Sequence, residues 1–333
     1  MGNSFCKGCG FPCEEANLMV FLLIYILEKS NKSTHLSVKN YKSNRSIYLS
    51  QLNSNKKVKS TNICQKVENS NNNDKNEKKN GLGILQWEDN STFIGMFKDS
   101  KANGLGKLFH IEGFVYKGNF LDNKANGYGL LESPDVENPS NKSEYEGEWL
   151  DDNQEGIGIE REIDGSIYKG QFANGSKNGI GKFDWYNGSK YEGEWKDNTM
   201  SGYGIHYYQD GSSYKGQWEN EKMNGYGEFI WKDRKAYIGF YVNDKKQGFG
   251  MLLVHQCYYV GFWKNGKQHG AGKEIKDKKE KYSLWFEGKR LKQYQSKEEF
   301  IDNLEEKEQK YKKWFSCQIE EIIIIFNKVL NEL

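Results

Sequence analysis

The chain has 333 residues, 48 of them Lys or Arg and 46 Asp or Glu, for a formal net charge of +2. Its 36 Gly against 3 Pro, with no collagen period, and its 14% aromatic content exclude a collagen-like or simply disordered chain and point to β-structure built of many short elements. The charge is divided. Residues 1–80 hold 13 Lys and Arg against 6 Asp and Glu, so this arm carries +7 and the remainder −5, and a basic arm on an acidic body suits an anionic surface.

Residues 1–29 open with MGNSFCKGCGFPC. Cys6 and Cys9 are spaced as in a zinc or redox motif, but the next candidate ligands after Cys13, His35 and Cys64, are remote. No thioredoxin-like βαβ pattern surrounds the Cys-x-x-Cys. Acylation fits better. Gly2 resembles an N-myristoylation start, and Cys6, Cys9 and Cys13 resemble S-palmitoylation sites, although the pattern asks for Ser or Thr where Cys6 stands. The six cysteines make no disulfide framework, and a reducing setting is the simpler reading. The apolar run Leu18–Leu27 is too short to span a bilayer. It suits the membrane interface or packing on the first hairpin at Ile94 and Met96. Residues 30–80 are rich in Asn, Ser and Lys and read as a disordered basic linker that would strengthen a single-chain lipid anchor.

Residues 81–288 repeat. Gly-x-Gly recurs from Gly81, Gly104, Gly127, Gly156, Gly179, Gly202, Gly225, Gly248 and Gly270, with successive steps of 23, 23, 29, 23, 23, 23, 23 and 22. Between them runs a second phrase, FIGMF at Phe93, YKGNF at Tyr116, YEGEW at Tyr145 and Tyr191, YKGQF at Tyr168, YKGQW at Tyr214, YIGFY at Tyr237 and YVGFW at Tyr259, with a glycine-free YSLWF from Tyr282. The long step holds a loop insertion containing Pro134 and Pro139. Each unit reads as a β-hairpin. Period two puts Tyr191, Gly193 and Trp195 on one face and Glu192 and Glu194 on the other. Asn-Gly at Asn103, Asn126, Asn178 and Asn224, and Asn187-Gly188 and Asp210-Gly211, supply turn chemistry. The strand glycines leave bare backbone on which a ring can lie.

These phrases resemble MORN repeats (membrane occupation and recognition nexus). The resemblance implies a mainly β fold, an elongated single-sheet solenoid of stacked hairpins, here about eight units; a C-terminal α-helix is expected beyond it from the residues themselves.

On the opposite face the residue pairs alternate acidic with basic or neutral in the middle units. They turn apolar late in the array, at Ile238/Phe240 and Val260/Phe262, and Trp285 is counted with them. Residues 289–333 read as one amphipathic helix. It begins at the capping box Ser296–Glu299 and folds back over that apolar patch through Trp314, Phe315 and Ile322–Ile325; the alternative is a helix that binds a partner or dimerises.

No enzyme signature emerges. None of the Gly-x-Gly copies continues into a phosphate-binding motif, and His206 reads as a packed aromatic. No cofactor, metal or nucleic-acid partner is expected. The reading is a non-enzymatic scaffold at the cytoplasmic face of a membrane with anionic lipids, binding protein partners or lipid headgroups. Its expected contact surface is an aromatic groove including Tyr168, Tyr191, Trp195, Tyr214 and Trp218. The alternatives are a soluble component of a cytoskeletal or ciliary assembly and a regulatory subunit of a lipid-modifying enzyme.

Overall fold

The computed structural model describes residues 78–138 and 140–331, with the backbone alone at Val58–Lys59. Gly2, Cys6, Cys9, Cys13 and the run Leu18–Leu27 lie outside the described residues, as does the basic linker apart from those two and its last residues, 78–80.

The strands are β1 (Val58–Lys59), β2 (Gly81–Trp87), β3 (Thr92–Lys98), β4 (Lys101–Phe109), β5 (Val115–Leu121), β6 (Lys124–Pro134) and β7 (Lys142–Leu150). They continue as β8 (Asn153–Arg161), β9 (Ile167–Ala173), β10 (Ser176–Asp184), β11 (Lys190–Lys196), β12 (Thr199–Tyr207) and β13 (Ser213–Glu219). The last are β14 (Lys222–Ile230), β15 (Ala236–Val242), β16 (Lys245–Val254), β17 (Cys257–Lys264), β18 (Lys267–Lys276), β19 (Lys279–Phe286) and β20 (Lys289–Gln293). Each pairs antiparallel with its neighbours in sequence, giving one open meander. The insertion lengthens one hairpin, pairing Pro134 with Lys142.

The tight turns differ from the sequence expectation. β11 joins β12 through Asp197 and Asn198, both at positive φ (47° and 66°), and Asp122–Asn123, Asp151–Asp152, Asn220–Glu221 and Asn243–Asp244 repeat the arrangement. Two left-handed residues are what a two-residue hairpin turn of the I′ kind requires, and Asn and Asp tolerate that region best after glycine. The Asn-Gly pairs at Asn103, Asn126, Asn178 and Asn224 therefore close no turn; they lie inside β4, β6, β10 and β14. Their glycines serve a β-bulge instead. In β11–β12, Gly193 pairs with Gly204 and Trp195 with Met200, so the return strand holds extra residues, and Gly202 takes φ +66°. The side chain opposite fills the gap: Glu194 Oε1 accepts the Tyr203 N–H at 3.1 Å, Gln171 Oε1 that of Ile180 at 2.6 Å, and Gln217 Oε1 that of Tyr226 at 2.8 Å.

Beyond the bulge runs a row of glycines, one from every strand between β2 and β18, from Gly83 through Gly193, Gly204 and Gly216 to Gly272. Each phase-setting ring lies across two members of this row. Tyr191 covers Gly193 and Gly204, and its hydroxyl donates to the Glu194 carbonyl at 3.0 Å. The indole of the same phrase reaches back one unit: Trp195 Nε1 donates to Gly181 O at 3.2 Å, and Trp218 Nε1 to Gly204 O at 3.3 Å. The rings then meet edge to face in a zigzag across units, with Tyr168–Trp195 at 5.2 Å, Tyr191–Trp218 at 5.7 Å and Tyr237–Trp263 at 5.4 Å between centroids. Such pairs add to the burial that stacks one repeat on the next.

The row ends at Ser283, which pairs with Gly272, so the phase of YSLWF is shifted by one from the sequence expectation. Trp285 belongs to the ring face, edge-on to Tyr259 at 6.0 Å, and not to the opposite apolar patch; Tyr282 faces the patch in its place.

That patch is covered, as expected, by the C-terminal segment. The segment is four helices and not one: α1 (Lys297–Asp302), α2 (Glu306–Gln309), α3 (Lys312–Ser316) and α4 (Ile319–Asn331). Two of the three breaks carry a local stop or restart. Asn303 Nδ2 donates to Glu299 O at 2.7 Å, and Glu308 Oε2 accepts the Glu305 N–H at 3.0 Å. Glu321 Oε2 accepts the Gln318 N–H at 2.8 Å before α4. Phe300, Phe315, Ile322, Phe326 and Val329 are buried with Ile238, Met251, Val260 and Ala271, while Trp314 and Ile325 are half-buried and Ile324 is exposed. Lys273, itself buried, ties the segment down: its Nζ donates to Phe315 O at 3.3 Å and Cys317 O at 2.9 Å and pairs with Glu280 at 2.5 Å.

Candidate functional site

The five rings expected to form the contact surface, Tyr168, Tyr191, Trp195, Tyr214 and Trp218, are all buried. They lie over the glycine row and against one another, and burial raises the Tyr168, Tyr191 and Tyr214 hydroxyl pKa values well above the ordinary tyrosine range. These rings build the face; solvent meets a different set.

That set stands two and four residues beyond the row glycines of three consecutive return strands. Gly181 is followed by Phe183 and Trp185, Gly204 by His206 and Tyr208, and Gly227 by Phe229 and Trp231. Period two keeps both positions on the ring face, and the second falls where the strand ends. The six rings form one continuous line, with centroid separations of 4.7 Å for Phe183–Trp185, 5.1 Å for Trp185–His206, 4.1 Å for His206–Tyr208, 5.7 Å for Tyr208–Phe229 and 4.6 Å for Phe229–Trp231. All but His206 are half-buried, so each presents part of its ring to solvent. Burial depresses the His206 imidazole to about 4, and it sits in the line as a neutral ring.

Beside the line runs a second row, the residue of each return strand that faces the last ring of its phrase: Lys177 opposite Phe172, Met200 opposite Trp195, Met223 opposite Trp218 and Lys246 opposite Tyr241. The methionines add polarisable, adaptable surface in the middle. The two lysines differ. Lys177 is neutralised by Glu160 at 2.5 Å and Glu162 at 3.6 Å. Lys246 Nζ lies over Trp231 at 4.9 Å, Tyr237 at 4.8 Å and Trp263 at 4.8 Å, and among the described residues no carboxylate pairs with it. Burial pushes its ammonium down to about 8. The site is therefore an apolar aromatic strip with one cation at its end that rings partly stabilise and no anion compensates.

Among the described residues no cluster of His, Cys, Asp and Glu could hold a metal ion, and no helix is long and apolar enough to cross a membrane.

The MORN repeat family model matches residues 75–92, 93–109, 116–135, 145–166, 168–190, 191–213, 214–235, 237–253 and 259–278. The chain belongs to the MORN-repeat family. Among curated proteins none matches. Of solved structures, the TCP10 domain of Danio rerio CPAP in complex with a peptide of Danio rerio STIL is similar over 65% of this chain and 96% of that one, at 9% identity and a TM-score of 0.38. The SAS-4 (dCPAP) TCP domain in complex with a proline-rich motif of Ana2 (dSTIL) of Drosophila melanogaster covers 46% of this chain and 80% of its own, at 12% identity and a TM-score of 0.28.

Within the MORN array the signature residues and the exposed strip are different sets. The Tyr, Gly and Trp that mark the repeat are the ones that pack, whereas the strip lies at positions that vary from unit to unit: Leu108, Leu131 and Leu252 occupy the Phe183 position elsewhere. One signal in the sequence finds it. Rings occupy both the second and the fourth positions after the row glycine in only three MORN units, and those three are consecutive.

Proposed function

We propose that the chain is a non-enzymatic scaffold whose strip from Phe183 to Trp231 docks a segment of a protein partner carrying apolar anchors and a carboxylate at the Lys246 end. The observation that supports this is the pairing of a solvent-facing aromatic line with a lysine that has rings and no anion around it. Aromatic anchors dominate binding energies where they are desolvated, and the carboxylate would gain a charge-assisted contact. Random-sequence peptides selected on the full chain are expected to carry two or more large apolar residues and an acid. Their affinity is expected to fall about 100-fold or more in a chain with Trp185→Ala, Tyr208→Ala and Trp231→Ala, and to be unchanged by Tyr186→Ala. Because Lys246 loses its proton near pH 8, affinity weakens as pH rises through that value and is retained below it. Selected peptides that bind the triple variant as tightly as the parent would refute the reading.

The same reading tethers the array to the cytoplasmic face of a membrane through Gly2 and acylated Cys6, Cys9 and Cys13, aided by the basic linker. Sequence supports it: a glycine at position 2, three nearby thiols, and the +7 arm. Imaging Gly2→Ala and Cys6/Cys9/Cys13→Ser chains beside the parent tests the tether. The parent is expected at a membrane and both variants in the cytosol; equal cytosolic spread of all three rejects it.

A further inference from the structure

On the face opposite the aromatic strip, the chain itself shows how a helical segment docks on a repeat hairpin. In the middle units a Gln or Glu of the tyrosine phrase caps the bulge amide of its own hairpin. In the β17–β18 hairpin Phe262 stands at that position and has no oxygen to offer. The acceptor comes from outside the repeats: Glu308 of α2, itself buried, places Oε1 2.9 Å from the Ala271 N–H, beside Gly270 at φ +86°. Val260 is buried under the same segment, and Lys273 binds the carbonyls that end α3. A helical segment thus recognises this hairpin by three features: an apolar pair, an uncapped bulge amide and a lysine.

The β3–β4 hairpin repeats all three. Ile94 and Met96 stand where Val260 and Phe262 do, Gly104 and Leu105 where Gly270 and Ala271 do, and Lys107 where Lys273 does. Gly104 takes φ +98°, as the bulge requires, and among the described residues no side-chain oxygen accepts from the Leu105 amide. Each of the hairpins between them lacks at least one of the three: Lys117/Asn119, Glu146/Glu148, Lys169/Gln171, Glu192/Glu194 and Lys215/Gln217 are polar pairs, and the apolar pair Ile238/Phe240 is followed by Met251 in place of the lysine. The two ends differ in cover, and their lysines differ with it: Lys107 Nζ lies over the Phe109 ring at 4.3 Å, whereas Lys273 is bound to Glu280 and to the segment's carbonyls. Val260, Ala271 and Lys273 are 0%, 3% and 1% exposed, whereas Met96 and Leu105 are 42% and 67% exposed and the adjoining Leu82 is 68% exposed.

We infer that the outer face of β2–β4 docks an amphipathic helix of a partner protein with the chemistry of this chain's own α1–α3. Apolar residues of that helix cover Leu82, Ile84, Ile94, Met96 and Leu105. A glutamate accepts the Leu105 N–H, and Lys107 meets the carbonyls at the helix end. The inference concerns the other face of the sheet and stands independently of the strip.

The test uses a synthetic peptide of residues 296–318 as the probe and the full chain as the receptor. Met96→Gln gives the hairpin the bulge cap that Gln171 and Gln217 provide elsewhere, so it folds as the middle units do while occupying the amide. The peptide is expected to bind the parent chain, to bind Met96→Gln about tenfold or more weakly, and to lose a similar factor when its own Glu308 is replaced by alanine. Equal binding to parent and Met96→Gln, or none to either, overturns the inference. It falls equally if Met96→Gln instead abolishes self-association of the chain in sedimentation, or its binding to phosphatidylserine vesicles, with the peptide inert; the occupant would then be a second copy or a lipid surface.

Discussion

Gly193→Ala is expected to destabilise the array by more than ~3 kcal/mol, a loss well beyond that of an ordinary surface substitution. A Cβ at Gly193 would stand 2.5 Å from the Gly204 Cα, 2.6 Å from the Tyr191 hydroxyl and 2.7 Å from the Tyr203 carbonyl. Two of these three are backbone atoms of the neighbouring strand and cannot rotate away. Relief requires β11 and β12 to part, which breaks the ladder, or Tyr191 to leave the glycine pair, which removes its bond to Glu194 and its edge contacts to Trp195 and Trp218. Since Trp218 in turn bonds the Gly204 carbonyl, the damage reaches the next unit. Urea unfolding should show it as a large fall in midpoint, and as a broader or split transition if nearest-neighbour coupling is interrupted in mid-array. Gly188→Ala is the control. Gly188 has φ +89° but nothing within 4 Å of a Cβ, so only backbone strain of ~1 kcal/mol applies. A Gly193→Ala chain no less stable than Gly188→Ala would show that close approach is not why the row is glycine.

The same contrast explains what the sequence made legible. Ring, glycine and ring at period two require one face, and a glycine between rings at every repeat requires bare backbone beneath a ring; both follow without coordinates and both hold at Tyr191, Gly193 and Trp195. The apolar run Ile238, Phe240, Val260 and Phe262 likewise called for a cover, which α1–α4 supply. Three readings went astray for physical reasons. An Asn-Gly pair signals a left-handed residue, and both a two-residue turn and a bulge need one, so Asn178-Gly179 read as a turn when only the pairing register distinguishes the two. Without a glycine to fix the phase, Tyr282 reads as the ladder tyrosine. The 22-residue step from Tyr237 to Tyr259 carries the phase on to Lys281, as the 22-residue step from Trp263 does to Trp285. The tail contains no Gly or Pro, and its breaks show instead in Asn303 at the end of α1, in the reciprocal capping of Glu305 with Glu308 and in the Glu321 carboxylate that accepts the Gln318 N–H. As for the candidate site, periodicity identifies the face and says nothing of depth. The first ring of each unit is roofed by its neighbours, and the later, unit-specific rings are what solvent reaches.

Depth also governs the response to acid. His206 is enclosed by Trp185, Tyr191, Tyr208 and Trp218, and among the described residues its Nδ1 has no hydrogen-bond partner. Burial therefore holds its folded pKa at about 4, below the ordinary 6.5. Between these values the unfolded chain binds a proton that the folded chain refuses, so stability rises with pH across that window and is lost as pH falls through it. The full difference is ~3 kcal/mol, present above pH 6.5 and gone below pH 4. His206→Phe should remove this component without a new cavity, since Phe183 and Phe229 already fill the same position in the flanking units. Other groups titrate nearby and with different signs. Asp152, raised to about 6 by its burial, is relieved by acid, whereas Glu132, held near 2 against its own burial by Lys117 and Lys142, loses stability only at lower pH. The informative quantity is thus the difference between parent and His206→Phe in urea unfolding from pH 7.5 down to pH 4. A gap in favour of the variant should open as pH falls through 6 and grow toward 4, while a difference that does not change with pH would mean that the folded strip lets the imidazole take up its proton as readily as the unfolded chain does.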